Sequence, residues 1–140
     1  MLKRVCGLAF VITATACSGS SNSAPTAPTP VRRTITAGSY SATAHFSRFI
    51  TFTTTTAGQL NIAVSWSSAS DTLWVDLSAS CTSDQYVAGT CQLIYSDRTA
   101  ISASQKTPSL NSVAPGTYVL IIDNRGPSDE NVTYEVDLTS

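Results

Sequence analysis

Hydrophobic and polar residues divide this chain into three stretches of different character. Residues 5–14 are largely apolar, residues 18–30 carry Ser, Pro, Thr and Ala with no charge, and from about residue 33 apolar side chains alternate with Ser, Thr and Asn. Alternation with a period of two puts successive side chains on opposite faces of an extended strand, and no segment after residue 33 keeps a three-to-four spacing over helical length. The clearest strand carries Leu60, Ile62, Val64 and Trp66 on one face, after the turn signal Ala57-Gly58-Gln59. Further strands are expected over residues 46–56, 71–78, 92–95, 117–123 and 132–138. Towards the end, Pro115-Gly116 makes a turn and Tyr118, Leu120 and Ile122 point one way. Asn124-Arg125-Gly126-Pro127 then interrupts the strand, and Val132, Tyr134, Val136 and Leu138 resume the pattern, which predicts a terminal hairpin. About six to eight short strands predict an all-β fold, a small two-sheet antiparallel sandwich of jelly-roll type.

The first stretch has the layout of a secretory signal: Lys3 and Arg4, an apolar run, then small residues. The run is too short to span a bilayer, which takes about 20 apolar residues. Residues 1–16 are therefore expected to be a signal peptide, 17–32 a linker headed by Cys17, and 33–140 the β-sandwich domain. Ala14-Thr15-Ala16-Cys17 resembles the lipobox of bacterial lipoproteins, with Ala14 where that family usually has Leu. The resemblance implies a diacylglyceryl thioether and an amide-linked acyl chain on Cys17, hence a membrane as partner. With Ser18 following, it also implies the outer membrane in an envelope that has two. Ala14-Thr15-Ala16 equally satisfies the small-x-small rule for ordinary cleavage, which would cut at the same bond and release a secreted protein.

Cysteine parity bears on that choice. Cys6 leaves with the leader, so Cys17, Cys81 and Cys91 remain, and an odd thiol in an oxidising compartment needs a separate role, which lipidation of Cys17 supplies. Cys81 and Cys91 flank a loop and are expected to form a disulfide that stabilises the fold by about 2–3 kcal/mol. The uncharged residues 18–30 suit a tether, and about 14 residues of random coil span roughly 20 Å on average, so any partner lies close to the membrane.

Residues 58–66 (GQLNIAVSW), 71–77 and 115–122 (PGTYVLII) resemble strands of the bacterial pre-peptidase C-terminal domain, over roughly 46–138. The resemblance implies a jelly-roll sandwich of the kind appended to secreted proteases and other exoenzymes, where it assists secretion, binding to insoluble substrates or calcium-linked stability. That family often has closely spaced aspartates after its Trp strand, whereas Asp71 and Asp76 here stand five apart.

Charge narrows the function. Only 12% of residues are charged, and without Lys3 and Arg4 six basic and nine acidic side chains leave a net of −3, so nothing attracts nucleic acid. Trp74 and Asp76 fall on the face opposite Leu73, Val75 and Leu77; were that face wet, an indole beside a carboxylate would suit a sugar ring and its hydroxyls. If both faces are covered, Trp74 is core. Asp123, Asp129 and Glu130 surround the last turn and could hold calcium, which needs six or more oxygens, but no EF-hand spacing is present, so they read as solvated turn residues and no cofactor is expected. Zinc lacks a ligand set, because the single histidine, His45, has no Cys or His at ligand spacing. His45 also lacks an acidic neighbour or a nucleophile motif, so no catalytic residue is expected. The expectation is a non-catalytic, lipid-anchored envelope module that binds a polysaccharide or an envelope protein. The alternatives are a secreted interaction subunit and a small exported enzyme.

Overall fold

The period-two pattern is realised as two antiparallel sheets packed face to face in the computed structural model, which describes residues 29–100 and 103–140. The expected signal peptide, Cys17 and most of the linker lie outside the described residues. In chain order the elements are β1 (Arg32–Ala42), β2 (Ser47–Thr54), β3 (Gly58–Ser65), β4 (Leu73–Ser78), α1 (Ser83–Val87), β5 (Leu93–Asp97), β6 (Gln105–Lys106), β7 (Ser109–Val113), β8 (Gly116–Asn124) and β9 (Glu130–Thr139). The first sheet runs β1-β9-β3-β6, with β7 also paired to β3; the second runs β2-β8-β4-β5.

The inner faces meet as the alternation predicts. Leu60, Ile62 and Val64 of β3 and Val132, Val136 and Leu138 of β9 pack against Leu73, Val75 and Leu77 of β4 and Leu120 and Ile122 of β8, all essentially without solvent exposure. Burial of each such side chain contributes about 1.5–3 kcal/mol, so this layer holds the sandwich closed. Trp66 completes it, and its indole N–H donates to the Asp71 carbonyl at 3.2 Å.

Three expectations are corrected. The terminal segments do not form a hairpin: β8 pairs with β2 and β4, and β9 with β1 and β3, so residues 125–129 cross between the sheets. The reason lies in Val119-Leu120-Ile121-Ile122, which is apolar on both faces and so takes the interior of a sheet covered on both sides. Secondly, a strand not among those expected, β1, runs over Arg32–Ala42; it is an edge strand held by its ladder to β9 and by Ile35, Tyr40 and Ala42 against the core. Thirdly, the loop between the cysteines contains α1, started by a capping box in which Thr82 and Gln85 exchange side-chain and backbone hydrogen bonds.

Strand direction orients the domain relative to its N-terminus. β1 starts at Arg32, opposite Thr139, and ends at Ala42, opposite Glu130. Its 11 residues cover about 35 Å at 3.3 Å per residue. The end where the linker joins is thus separated by the length of the sandwich from the turns at residues 43–46, 66–72 and 125–129, the distal end.

Candidate functional site

The outer face of the second sheet carries Trp74 and Asp76 together, as alternation requires, but it is covered. α1 and the Cys81–Cys91 disulfide (Cα–Cα 5.6 Å) lie over it and enclose a second apolar cluster of Val119, Ile121 and Tyr86, with Phe49 and Leu93 at its rim. Asp76 is fully buried: its Oδ2 accepts hydrogen bonds from Tyr86 Oη (2.7 Å) and from Arg98 Nε and Nη2 (3.1 and 3.0 Å). Asp123, opposite Trp74 in the ladder, is also buried and pairs with Arg125 Nε at 2.6 Å. Burial and these carboxylates push the Tyr86 phenol above its ordinary range, and the hydrogen bond to Asp76 raises Arg98 further. The guanidiniums of Arg98 and Arg125 lie 5.0 and 4.5 Å from the centre of the Trp74 ring. Arg98 follows β5 and Arg125 follows β8, the two strands that flank β4, so both cations reach Trp74 from neighbouring strands. Asp76 is therefore not free, and of the two readings of this face the covered one describes it, through residues non-local in sequence, Tyr86 and Arg98; Trp74 is half-buried beneath Arg98 and Arg125.

The outer face of the first sheet is open and grooved. Outward residues of β3 (Asn61, Ala63, Ser65) and of β9 (Thr133, Glu135, Asp137) form its floor, and residues 105–108 form one wall. Two hollows of about 460 and 280 Å³ meet at Ala63 and Thr107. Ala63 makes the space, since any larger outward side chain at this central position would stand in both hollows. Around it the polar groups are ordered: Ser65 and Thr133 share a hydrogen bond of 2.6 Å, and Ser109 donates to Asn61 Oδ1 at 2.9 Å.

Asp137 is the distinctive group of this groove. It is 2% exposed, its Oδ2 is bound by Arg32, whose Nε lies at 2.8 Å, and its Oδ1 has no hydrogen-bond partner. Burial works against its charge, but the neighbouring Thr34 hydroxyl and the Arg32 guanidinium overcome that effect and hold the carboxyl below the ordinary aspartate range. A buried acceptor left unsatisfied costs about 1–3 kcal/mol, and its residue is among those that line the larger hollow. Of these residues sequence analysis had singled out none. Asp137 reads as one more polar position of the last strand, and Arg32 as the end of a linker.

The three calcium candidates are each taken up by other groups. Asp123 is committed to Arg125, Asp129 Oδ1 accepts the Ala44 N–H at 2.9 Å, and Glu130 accepts from the Ser67 hydroxyl and the Ser68 N–H. Among the described residues no three of His, Cys, Asp and Glu gather closely enough to hold a metal. Instead Glu130 lies beside buried Asp71. Burial, followed by the hydrogen bond and charge of Glu130, raises Asp71 above the ordinary carboxylate range. Gly126 packs on this pair: a Cβ there would stand 2.5 Å from Asp71 Cγ, so only glycine fits. His45 is exposed in the turn between β1 and β2 with a φ of 61°.

No protein-family model and no curated protein matches this chain. The Cys81–Cys91 disulfide points to an extracytoplasmic location. Among the described residues no helix is long and apolar enough to cross a membrane.

Proposed function

We propose that this chain is a non-catalytic module of a bacterial envelope, exported, anchored by lipid on Cys17, and binding a neutral polysaccharide in the groove across its first sheet. The observation that carries the reading is the buried, unpartnered Oδ1 of Asp137 in the wall of an open polar hollow. Such an oxygen calls for a donor from the ligand. Arg32 already balances the carboxylate through Oδ2, so a second cation would meet the guanidinium and an anion would meet Asp137. Sugar hydroxyls suit both, with Asn61, Ser65 and Thr107 offering further partners, and the hollows fall in the size range of small-ligand sites, a few hundred Å³. The lipobox-like Ala14-Thr15-Ala16-Cys17 and the uncharged linker after it support display at a short distance from a membrane.

The test is calorimetric titration of the full chain with soluble oligosaccharides of cellulose, chitin, xylan, mannan and β-glucan, beside the Ala63→Trp variant. At least one of these binds the native chain, and Ala63→Trp, which fills the junction of the two hollows from an exposed position, weakens it by more than about tenfold. Binding to none, or equal binding by the variant, contradicts the assignment. In the same cells Cys17→Ser moves the protein from the membrane to the soluble fraction; retention on the membrane would contradict lipid anchoring.

A further inference from the structure

We infer that Arg98 and Arg125 form a second binding surface, at the distal end of the second sheet, fitted to carboxylates of an acidic polysaccharide. Each guanidinium is held from beneath by a carboxylate that solvent does not reach, Asp76 at 0% and Asp123 at 1% exposure, while the arginine side chains are 43% and 45% exposed. The cluster is neutral in sum but polarised: its negative charge is buried and its positive charge faces outward. Both guanidiniums lie over the Trp74 ring, which restrains them and cuts the entropy they would lose on gripping a ligand. Arg98 commits Nε and Nη2 to Asp76, while Arg125 pairs through Nε and its terminal nitrogens make no side-chain hydrogen bond among the described residues. The terminal nitrogens of Arg125 can take a carboxylate through two hydrogen bonds, and Arg98 adds a second cation beside them.

Position supports the choice of partner. Both arginines follow the distal ends of their strands, β5 and β8, far from Arg32 where the linker joins. On the anchoring through Cys17 proposed above, this end of the domain is the one farther from the tether and so the freer to meet a polymer. A chain of uronic acids presents carboxylates in repeat, so two guanidiniums on one rigid indole engage it at two points.

The experiment titrates the full chain with polygalacturonate, with its fully methyl-esterified form and with polyphosphate, at low and at high salt. Removing one arginine alone strands a buried aspartate, so the decisive variant is Arg125→Gln with Asp123→Asn, which removes the ion pair as a unit; near-ultraviolet circular dichroism reports whether Trp74 stays packed. Polygalacturonate binds the native chain at low salt and loses about tenfold or more at high salt, the ester does not bind, and the paired variant weakens polygalacturonate by about tenfold while Ala63→Trp leaves it unchanged. No binding of polygalacturonate, equal binding of its ester, tighter binding of polyphosphate, or a folded paired variant that binds as before would each overturn the inference. Loss of binding in Ala63→Trp would also overturn it, by moving the acidic polymer to the groove.

Discussion

The two outer faces of this sandwich solve the same problem in opposite ways. Each carries carboxylates at positions where a sheet face meets solvent. On the second sheet the fold closes over them: α1, the disulfide, Tyr86 and two arginines satisfy Asp76 and Asp123 and leave only cationic edges outside. On the first sheet no element among the described residues closes over the outward side chains of β3 and β9, and there Asp137 keeps one oxygen without a partner. The contrast shows why exposure of an aromatic residue is a poor guide to a site here. Trp74 is spoken for, whereas a groove floored by small and polar outward side chains offers an acceptor that the protein itself does not use.

The largest effect expected from this contrast is on stability. Asp76→Ala takes the buried acceptor from the Tyr86 hydroxyl and from Arg98 and costs about 3 kcal/mol in denaturant unfolding. Asp137→Ala releases Arg32, whose side chain is 69% exposed and turns to water, so it costs only about 1 kcal/mol. Equal losses would mean that the faces are not built differently. Next in size, removing the disulfide as Cys81→Ser with Cys91→Ser lowers stability by about 2–3 kcal/mol. Hydrogen exchange should rise over α1 and β5 while the ladder between β3 and β9 keeps its protection; a uniform rise would contradict local closure.

The pH dependence separates two carboxyls in the same fold. Asp71 is raised in the folded state, so its contribution is complete below the ordinary aspartate value of 3.8 and is lost as pH rises through its higher folded value. Asp137 is lowered, so its contribution is present above 3.8 and is lost as pH falls through its lower folded value. Unfolding measured across pH in Asp71→Asn and Asp137→Asn should flatten the first and the second limb respectively. An unchanged profile in either variant contradicts the corresponding assignment. The smallest stability effect is that of Ala63→Trp, within about 0.5 kcal/mol because the position is exposed; a larger loss would show that the groove floor is not free surface.

What could be read from the sequence was local. Alternation placed Leu60, Ile62, Val64 and Trp66 inside, and it put Trp74 and Asp76 on the face opposite Leu73, Val75 and Leu77, because a period of two needs no knowledge of partners. The cysteine pair announced its bridge by spacing and compartment. The cover over Asp76 escaped because it arrives from Tyr86 and Arg98, 10 and 22 residues away, and no pattern within a strand encodes such a meeting. The groove escaped for a related reason. Asp137 becomes a buried acceptor only when β1 lies beside β9, and which strand pairs with which is set by contacts far apart in sequence, Arg32 reaching Asp137 across 105 residues. The apparent hairpin failed where the apolar run of β8 demanded neighbours on both sides.

The most direct measurement is the amide and indole nuclear magnetic resonance spectrum of the full chain, titrated with whichever neutral oligosaccharide binds most tightly by calorimetry. The account predicts shifts confined to the groove, at Asn61, Ala63, Thr107 and Asp137, with the Trp74 indole signal unmoved. Movement of the Trp74 indole with a silent groove would contradict it and return the glycan site to the second sheet.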